Sequence, residues 1–291
     1  MKAICFVGSG SLAMIAILTG CLAEPSTSNT TNELGRGPST LDPPIRRIAP
    51  PAPSSSPVVQ PLVAGAKQVG YYDVSSESGE DYEITPIVAA GGVAIDIDDP
   101  KAAVLATLNV LWVTNPLNFT SGGEYITRVP EIGAAVRDGM VLVVHDRDVA
   151  LAHTLLPGAE DITTVRDTTS ENTDIDIRDG STQITAGLDN HSLDGGNSSN
   201  HGYVLASSLP ARSKLILSST TPSKIVTLCY PLGKGAVIYS TIPLDFYLQG
   251  LGPQPLQSNA ATIYAPNVVS YALAGACSQR IGPTPTPNLH R

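Results

Sequence analysis

The chain is short of charge, of aromatic side chains and of sulfur. Charged residues make up 15% and aromatic residues 5% of its 291 positions, with one Trp, three Met and four Cys. Lysine and arginine number 17 against 26 acidic residues, for a formal net charge of −9. No basic cluster stands out from that background, so the electrostatic footprint of a nucleic-acid binder is missing. There is no CxxC pair, no HExxH and no Cys/His spacing of a zinc site, and no metal or cofactor is expected. The apolar run near the start, Leu12 to Leu18, falls well short of the roughly 20 residues of a membrane span.

What the first residues do carry is a processing signal. One cation, Lys2, precedes the short apolar core, and small residues follow it, which is the layout of a secretory signal peptide. Leu18-Thr19-Gly20-Cys21 resembles the lipobox of bacterial lipoproteins. That resemblance implies cleavage before Cys21, diacylglycerol on its thiol, and a lipid bilayer as partner. Leu22, in place of aspartate, then favours the outer membrane where there is one. The implied location is the cell envelope. Residues 1–20 are accordingly read as signal peptide and 21–61 as a disordered Pro/Ser/Thr-rich tether, too polar to offset its own ordering entropy. Residues 62–277 are read as one α/β domain and 278–291 as a second disordered segment.

Within the domain, strand and helix signals alternate. Lys67–Tyr72, Val93–Ile97, Leu108–Thr114 and Met140–Val144 read as strands, the last two almost continuously apolar, as strands buried on both faces are. Thr85-Pro86 predicts a helix start, and Tyr125, Ile126, Val129, Ile132, Ala135 and Val136 fall at helical spacing after a cap at Ser121. Asp148 predicts a further helix ended by Pro157-Gly158. Strands alternating with helices imply parallel pairing, hence a doubly wound, mainly parallel α/β sheet. The second half adds hairpin signals. One is centred on Asp179-Gly180, and another joins Ile225–Tyr230 to Ala236–Ile242. A helix from Pro266 to Ala274 closes the pattern.

This layout resembles the class I glutamine amidotransferase-like superfamily, in particular its ThuA-like branch, which implies a flavodoxin-like sheet. KIVTLCYPLGKGAVIYSTIPLDFYL matches the late hairpin of that branch, and PNVVSYALAGA its terminal helix; VLWVTNP and GMVLVVHD stand at the central strands. The resemblance implies a cysteine nucleophile on the turn after the central strand, with a histidine and a glutamate from later in the chain. The turn here is Val144-His145-Asp146-Arg147, with neither cysteine nor serine. Ile242-Pro243-Leu244-Asp245 stands where the branch often has Gly-His. Glutaminase chemistry is therefore not expected.

In open α/β sheets ligands bind beyond the carboxyl ends of the strands. That rule gathers Asn115, Asp146, Arg147 and Asp245 as candidate ligand-binding residues on one rim, with Asp146 held ionised beside Arg147; the same residue types also serve as helix caps and turn formers. His191 and His201 flank a polar loop and, with Asp189 and Asp194, could ligate a metal or supply a base, the alternative being a solvated surface loop. Asp174, Asp176 and Asp179 depart from the EF-hand spacing and read as a hairpin. Cys229 and Cys277 remain after processing as a pair in an oxidising setting; spacing leaves open whether they join, because geometry decides it. Two functions are consistent with this pattern. One is a non-catalytic binding or scaffold module taking a glycan or small molecule; the other is a degenerate hydrolase acting on a carbohydrate or other small envelope substrate.

Overall fold

The structure, a computed structural model, describes residues 65–73, 81–114, 123–149, 152–169, 174–195 and 199–277. The lipobox, the tether, Asn115 and Ser121 lie outside these residues. Ten strands are described: β1 (Gln68–Asp73), β2 (Val93–Asp96), β3 (Val110–Thr114), β4 (Val141–His145), β5 (Thr164–Arg166), β6 (Ile175–Ile177), β7 (Gly202–Leu205), β8 (Lys214–Ser219), β9 (Lys224–Leu232) and β10 (Gly235–Ser240). The helices are α1 (Ile84–Ala89), α2 (Ala102–Leu105), α3 (Gly123–Asp138), α4 (Ala152–Leu155), α5 (Leu244–Leu248), α6 (Leu256–Asn259) and α7 (Ala265–Leu273), with a π-helical turn at Ala260–Tyr264 leading into α7.

All strands belong to one sheet, whose main path runs β2-β1-β3-β4-β10-β9-β7-β5. The first five strands of that path pair in parallel, β10 taking the fifth place of a 2-1-3-4-5 order, which is the flavodoxin-like arrangement. Every residue of β3 and β4 is buried, because helices cover both faces. On one face Leu105 of α2, Tyr125, Ile132 and Val136 of α3 and Leu155 of α4 pack on Leu111, Leu142 and Val237. On the other, Ile87 of α1 and Val268, Val269 and Ala272 of α7 pack on Val110, Trp112, Val143 and Ile238. Two buried tyrosines reach backbone acceptors near α4: Tyr125 donates to the Leu155 carbonyl at 2.9 Å and Tyr230 to that of Pro157 at 2.9 Å. Each brings apolar area to the core without leaving its hydroxyl unpaired.

From β9 onward the pairing is antiparallel. The β9–β10 hairpin turns on Gly233-Lys234. Gly233 has φ +62°, and a Cβ there would meet the Arg137 carbonyl oxygen at 2.6 Å, so no other residue fits without displacing the end of α3. The expected hairpin at Asp179-Gly180 does not form. β6 pairs with β8 instead, and the chain after the turn becomes a 3₁₀ turn at Gln183–Thr185. Asp179 explains this locally: its carboxylate accepts from the Ser181 amide and hydroxyl, and its carbonyl accepts from Thr185 at 3.0 Å. Those bonds close the turn on itself and leave no partner strand. α1 begins before Thr85-Pro86, with Glu83 as its N-cap residue.

Cys229, at the middle of β9, is joined by a disulfide to Cys277, just beyond α7, with Cα atoms 6.1 Å apart. The bond fastens the terminal helix to the sheet and closes a loop of 48 residues. A loop of that size corresponds to about 4 kcal/mol on the chain-entropy account.

Candidate functional site

The carboxyl ends of β4 and β10 carry two polar groupings that differ in depth. The deeper one is buried. His145, the last residue of β4, is 1% exposed. The Trp112 indole N–H donates to His145 Nδ1 at 3.1 Å, which fixes the tautomer: Nδ1 accepts, so the proton sits on Nε2. Nε2 has no hydrogen-bond partner among the described residues. Burial pushes the imidazole pKa down to about 3, and the ring is neutral at physiological pH. Beside it, Ser240 of β10 pairs in register with His145. The Ser240, Thr227 and Tyr264 hydroxyls form a triangle with sides of 2.9, 3.2 and 3.1 Å. Thr114, ending β3, donates to the buried Glu83 carboxylate at 2.8 Å.

Asp146 also lies in this deep layer. Its Oδ1 accepts from the amides of Asp148 and Val149 at 3.0 and 2.9 Å, and its Oδ2 from the Tyr239 hydroxyl at 2.8 Å. The carboxylate is thus the internal brace of the turn, which carries Val149 at φ +56°. The expected pairing with Arg147 is corrected: Arg147 pairs with Asp245 instead, and burial raises the Asp146 pKa against the lowering effect of those hydrogen bonds. The amide of Asp148 is one of the groups that Asp146 holds, and the expected cap at Asp148 falls on residues 150 and 151, which lie outside the described residues.

The outer grouping is reachable from solvent. Arg147 pairs with Asp245 of α5 at 3.2 Å and lies over the Phe246 ring, 5.6 Å from its centroid. The Arg147 carbonyl accepts from His201 Nδ1 at 2.8 Å and from Arg166 Nη1 at 3.0 Å. A carbonyl can only accept, so Nδ1 of His201 carries the proton and Nε2 keeps its lone pair. Burial, followed by the positive charges of Arg147 and Arg166, pushes the His201 pKa down against the opposing hydrogen bond to the carbonyl. His201 is held in place by its amide, which donates to the Thr241 carbonyl at 3.0 Å. The next residue, Gly202, sits so close to β5 that a Cβ would meet the Val165 carbonyl oxygen at 2.2 Å.

The structure thus brings Arg147, Asp245 and His201 together at one rim, with Asp146 braced beneath them. His191 and Asp194 lie in a different cluster. Asp194 takes His191 Nδ1 at 3.1 Å and the Ile175 amide at 2.9 Å, while the His191 side chain is 89% exposed. Asp189 accepts from the His191 amide and the Ser192 hydroxyl, so this loop is built from its own caps. No group of three metal-ligating side chains occurs among the described residues. The residue missed from sequence is Arg166. It ends a three-residue strand with no periodic pattern, and only its register against Gly202 delivers it to the rim.

Comparison with known proteins agrees with the architecture. No family model and no curated protein matches the chain. Among solved structures it is similar to the Cytoplasmic Protein STM1381 from Salmonella typhimurium LT2, at TM-score 0.51 and 10% identity, covering 72% of this chain and 99% of that one. The likeness is one of fold. Looser likenesses include a putative GMP synthase protein from Thermoplasma acidophilum, at TM-score 0.48 and 11% identity over 72% of this chain and 96% of that one. PurLQS from Thermotoga maritima follows at TM-score 0.41 and 10% identity, over 72% and 98%. The chain has a flavodoxin-like α/β fold, half parallel and half antiparallel in its sheet. No helix of the described residues is long and apolar enough to cross a membrane.

Proposed function

We propose that the chain is a bacterial envelope lipoprotein, anchored through acylated Cys21, whose amidotransferase-like domain binds a glycan or another small molecule without turning it over. The observation that carries the binding half is the state of the turn after β4. Where the resembled family needs a nucleophile, His145 is buried, neutral and engaged by Trp112, and Asp146 is enclosed by two amides and a phenol. Neither can attack a substrate. Both cysteines of the domain are consumed by the disulfide. Just above, Arg147, Asp245 and His201 offer fixed polar contacts at the edge of solvent, which suits recognition.

Two features support the envelope half. Leu18-Thr19-Gly20-Cys21 has the residues that lipid transfer requires, and a disulfide between β9 and the end of α7 is at home in an exported protein rather than a reducing cytosol. Mass spectrometry of the mature N-terminus tests the anchor: a diacylated or triacylated Cys21 is expected in the wild type and an unprocessed chain in Cys21→Ala, whereas an unmodified mature N-terminus contradicts it. Incubation of the full chain with glutamine tests the loss of chemistry. No ammonia release is expected, and release above buffer overturns the reading.

A further inference from the structure

In both ion pairs of the rim the cation is the exposed partner and the acid the hidden one. Arg147 is 39% exposed against 2% for Asp245, and Arg166 45% against 15% for Asp148, at 3.2 and 3.6 Å. The acids therefore hold the guanidiniums in place from behind. What faces solvent is positive, in a chain whose net charge is −9.

The donors are only partly used. Arg147 spends Nη1 on Asp245, and Arg166 spends Nη1 on the Arg147 and Asp148 carbonyls. Among the described residues, Nε and Nη2 of both arginines make no hydrogen bond. A guanidinium presents its donors as a fixed planar fork that matches the two oxygens of an acid group. Phe246 beneath Arg147 and the two carbonyls beneath Arg166 fix the planes in advance, which lowers the ordering cost of binding.

His201 adds a contact of the other kind. Its Nδ1 proton is committed to the Arg147 carbonyl, the same oxygen that takes Arg166 Nη1, so the imidazole and the Arg166 guanidinium share one anchor. The remaining ring nitrogen, Nε2, is an acceptor. Next to two cations, an acceptor suits a ligand hydroxyl and not a second anion.

Resting on the binding-module reading, we propose that this rim recognises an acidic sugar or comparable polyol: its carboxylate or phosphoryl group is taken by Arg147 and Arg166, and a neighbouring hydroxyl donates to His201 Nε2. The ligand would thus be selected for one acid group and one adjacent hydroxyl.

Isothermal titration of the full chain in non-ionic detergent with glucuronate, glucose 6-phosphate and glucose tests this. At least one acidic sugar is expected to bind about tenfold or more tightly than glucose, since each charge-assisted hydrogen bond contributes on that scale. Comparing glucuronate with glucose 6-phosphate tells carboxylate from phosphoryl. Arg166→Gln should weaken that binding about tenfold with an unchanged circular dichroism spectrum, and raising salt should weaken it in the wild type. Glucose binding as tightly as the acidic sugars overturns the acid-group recognition while leaving a binding module standing. Absence of binding by either acidic sugar, or binding indifferent to both Arg166→Gln and salt, overturns the proposal.

Discussion

Acidification should unfold this domain in a way that one buried ring makes measurable. His145 titrates near 6.5 when exposed, and burial lowers its folded pKa to about 3. A base whose folded pKa lies below its unfolded one is protonated first in the unfolded chain. Its contribution is therefore neutral above the unfolded pKa, becomes a growing penalty as pH falls, and is complete below the folded pKa. Each pH unit well inside the window costs about 1.4 kcal/mol, so the descent from about pH 8, above the unfolded pKa, to about pH 4.5 costs about 2.7 kcal/mol. His145→Asn isolates this effect. Its Oδ1 can take the Trp112 N–H in place of Nδ1, and it does not titrate. The variant is less stable at neutral pH, because the smaller side chain leaves a cavity. Urea unfolding of both proteins over that range should show the gap between them closing by about 2.7 kcal/mol toward acid. Parallel stability curves would mean that His145 is not buried and neutral as described.

Other expectations concern the supports of the rim. Removing the disulfide in a Cys229→Ala, Cys277→Ser double variant should lower unfolding stability by about 4 kcal/mol, read by urea denaturation, and free α7 first in hydrogen exchange. Gly202→Ala should cost more than about 2 kcal/mol, since φ is +152° and a Cβ collides with the β5 backbone; thermal denaturation checks it. Asp146→Ala strands two amides and a buried phenol and should cost about 3 kcal/mol, whereas Asp146→Asn, which keeps an acceptor for the amides, should cost less than half of that in the same assay.

The parallel half of the sheet was legible because its strands are long, apolar and separated by helical spacing. Leu108–Thr114 and Met140–Val144 need nothing beyond their own composition to be read as buried strands, and the structure places them as β3 and β4. The antiparallel half was harder. β5 and β6 have three residues each, and what makes them strands is a partner far along the chain, β7 and β8. Local pattern cannot report such pairing. It misread Asp179-Gly180 as a hairpin because the carboxylate that closes the turn on itself looks the same as one that begins a hairpin. The rim was half legible for a related reason. Arg147 and Asp245 follow the ends of β4 and β10, as the rule for open sheets requires. Asp146 follows the same strand end, but its side chain turns toward Tyr239 beneath the sheet's edge. Sequence order cannot say which of two adjacent polar residues faces in. Arg166 arrives by register alone.

The central claim is that the rim binds without turnover, and a glycan array probed with the full chain in detergent, beside Arg147→Ala, tests it most directly. Arg147 is the residue to change because its guanidinium, set by Asp245 and Phe246, is an exposed cation of the rim, while the carbonyl that takes His201 and Arg166 is kept by alanine. The account predicts a defined set of glycans retained intact by the wild type and lost by the variant. Equal retention by both proteins, or cleavage of the bound glycans by the wild type, would contradict it.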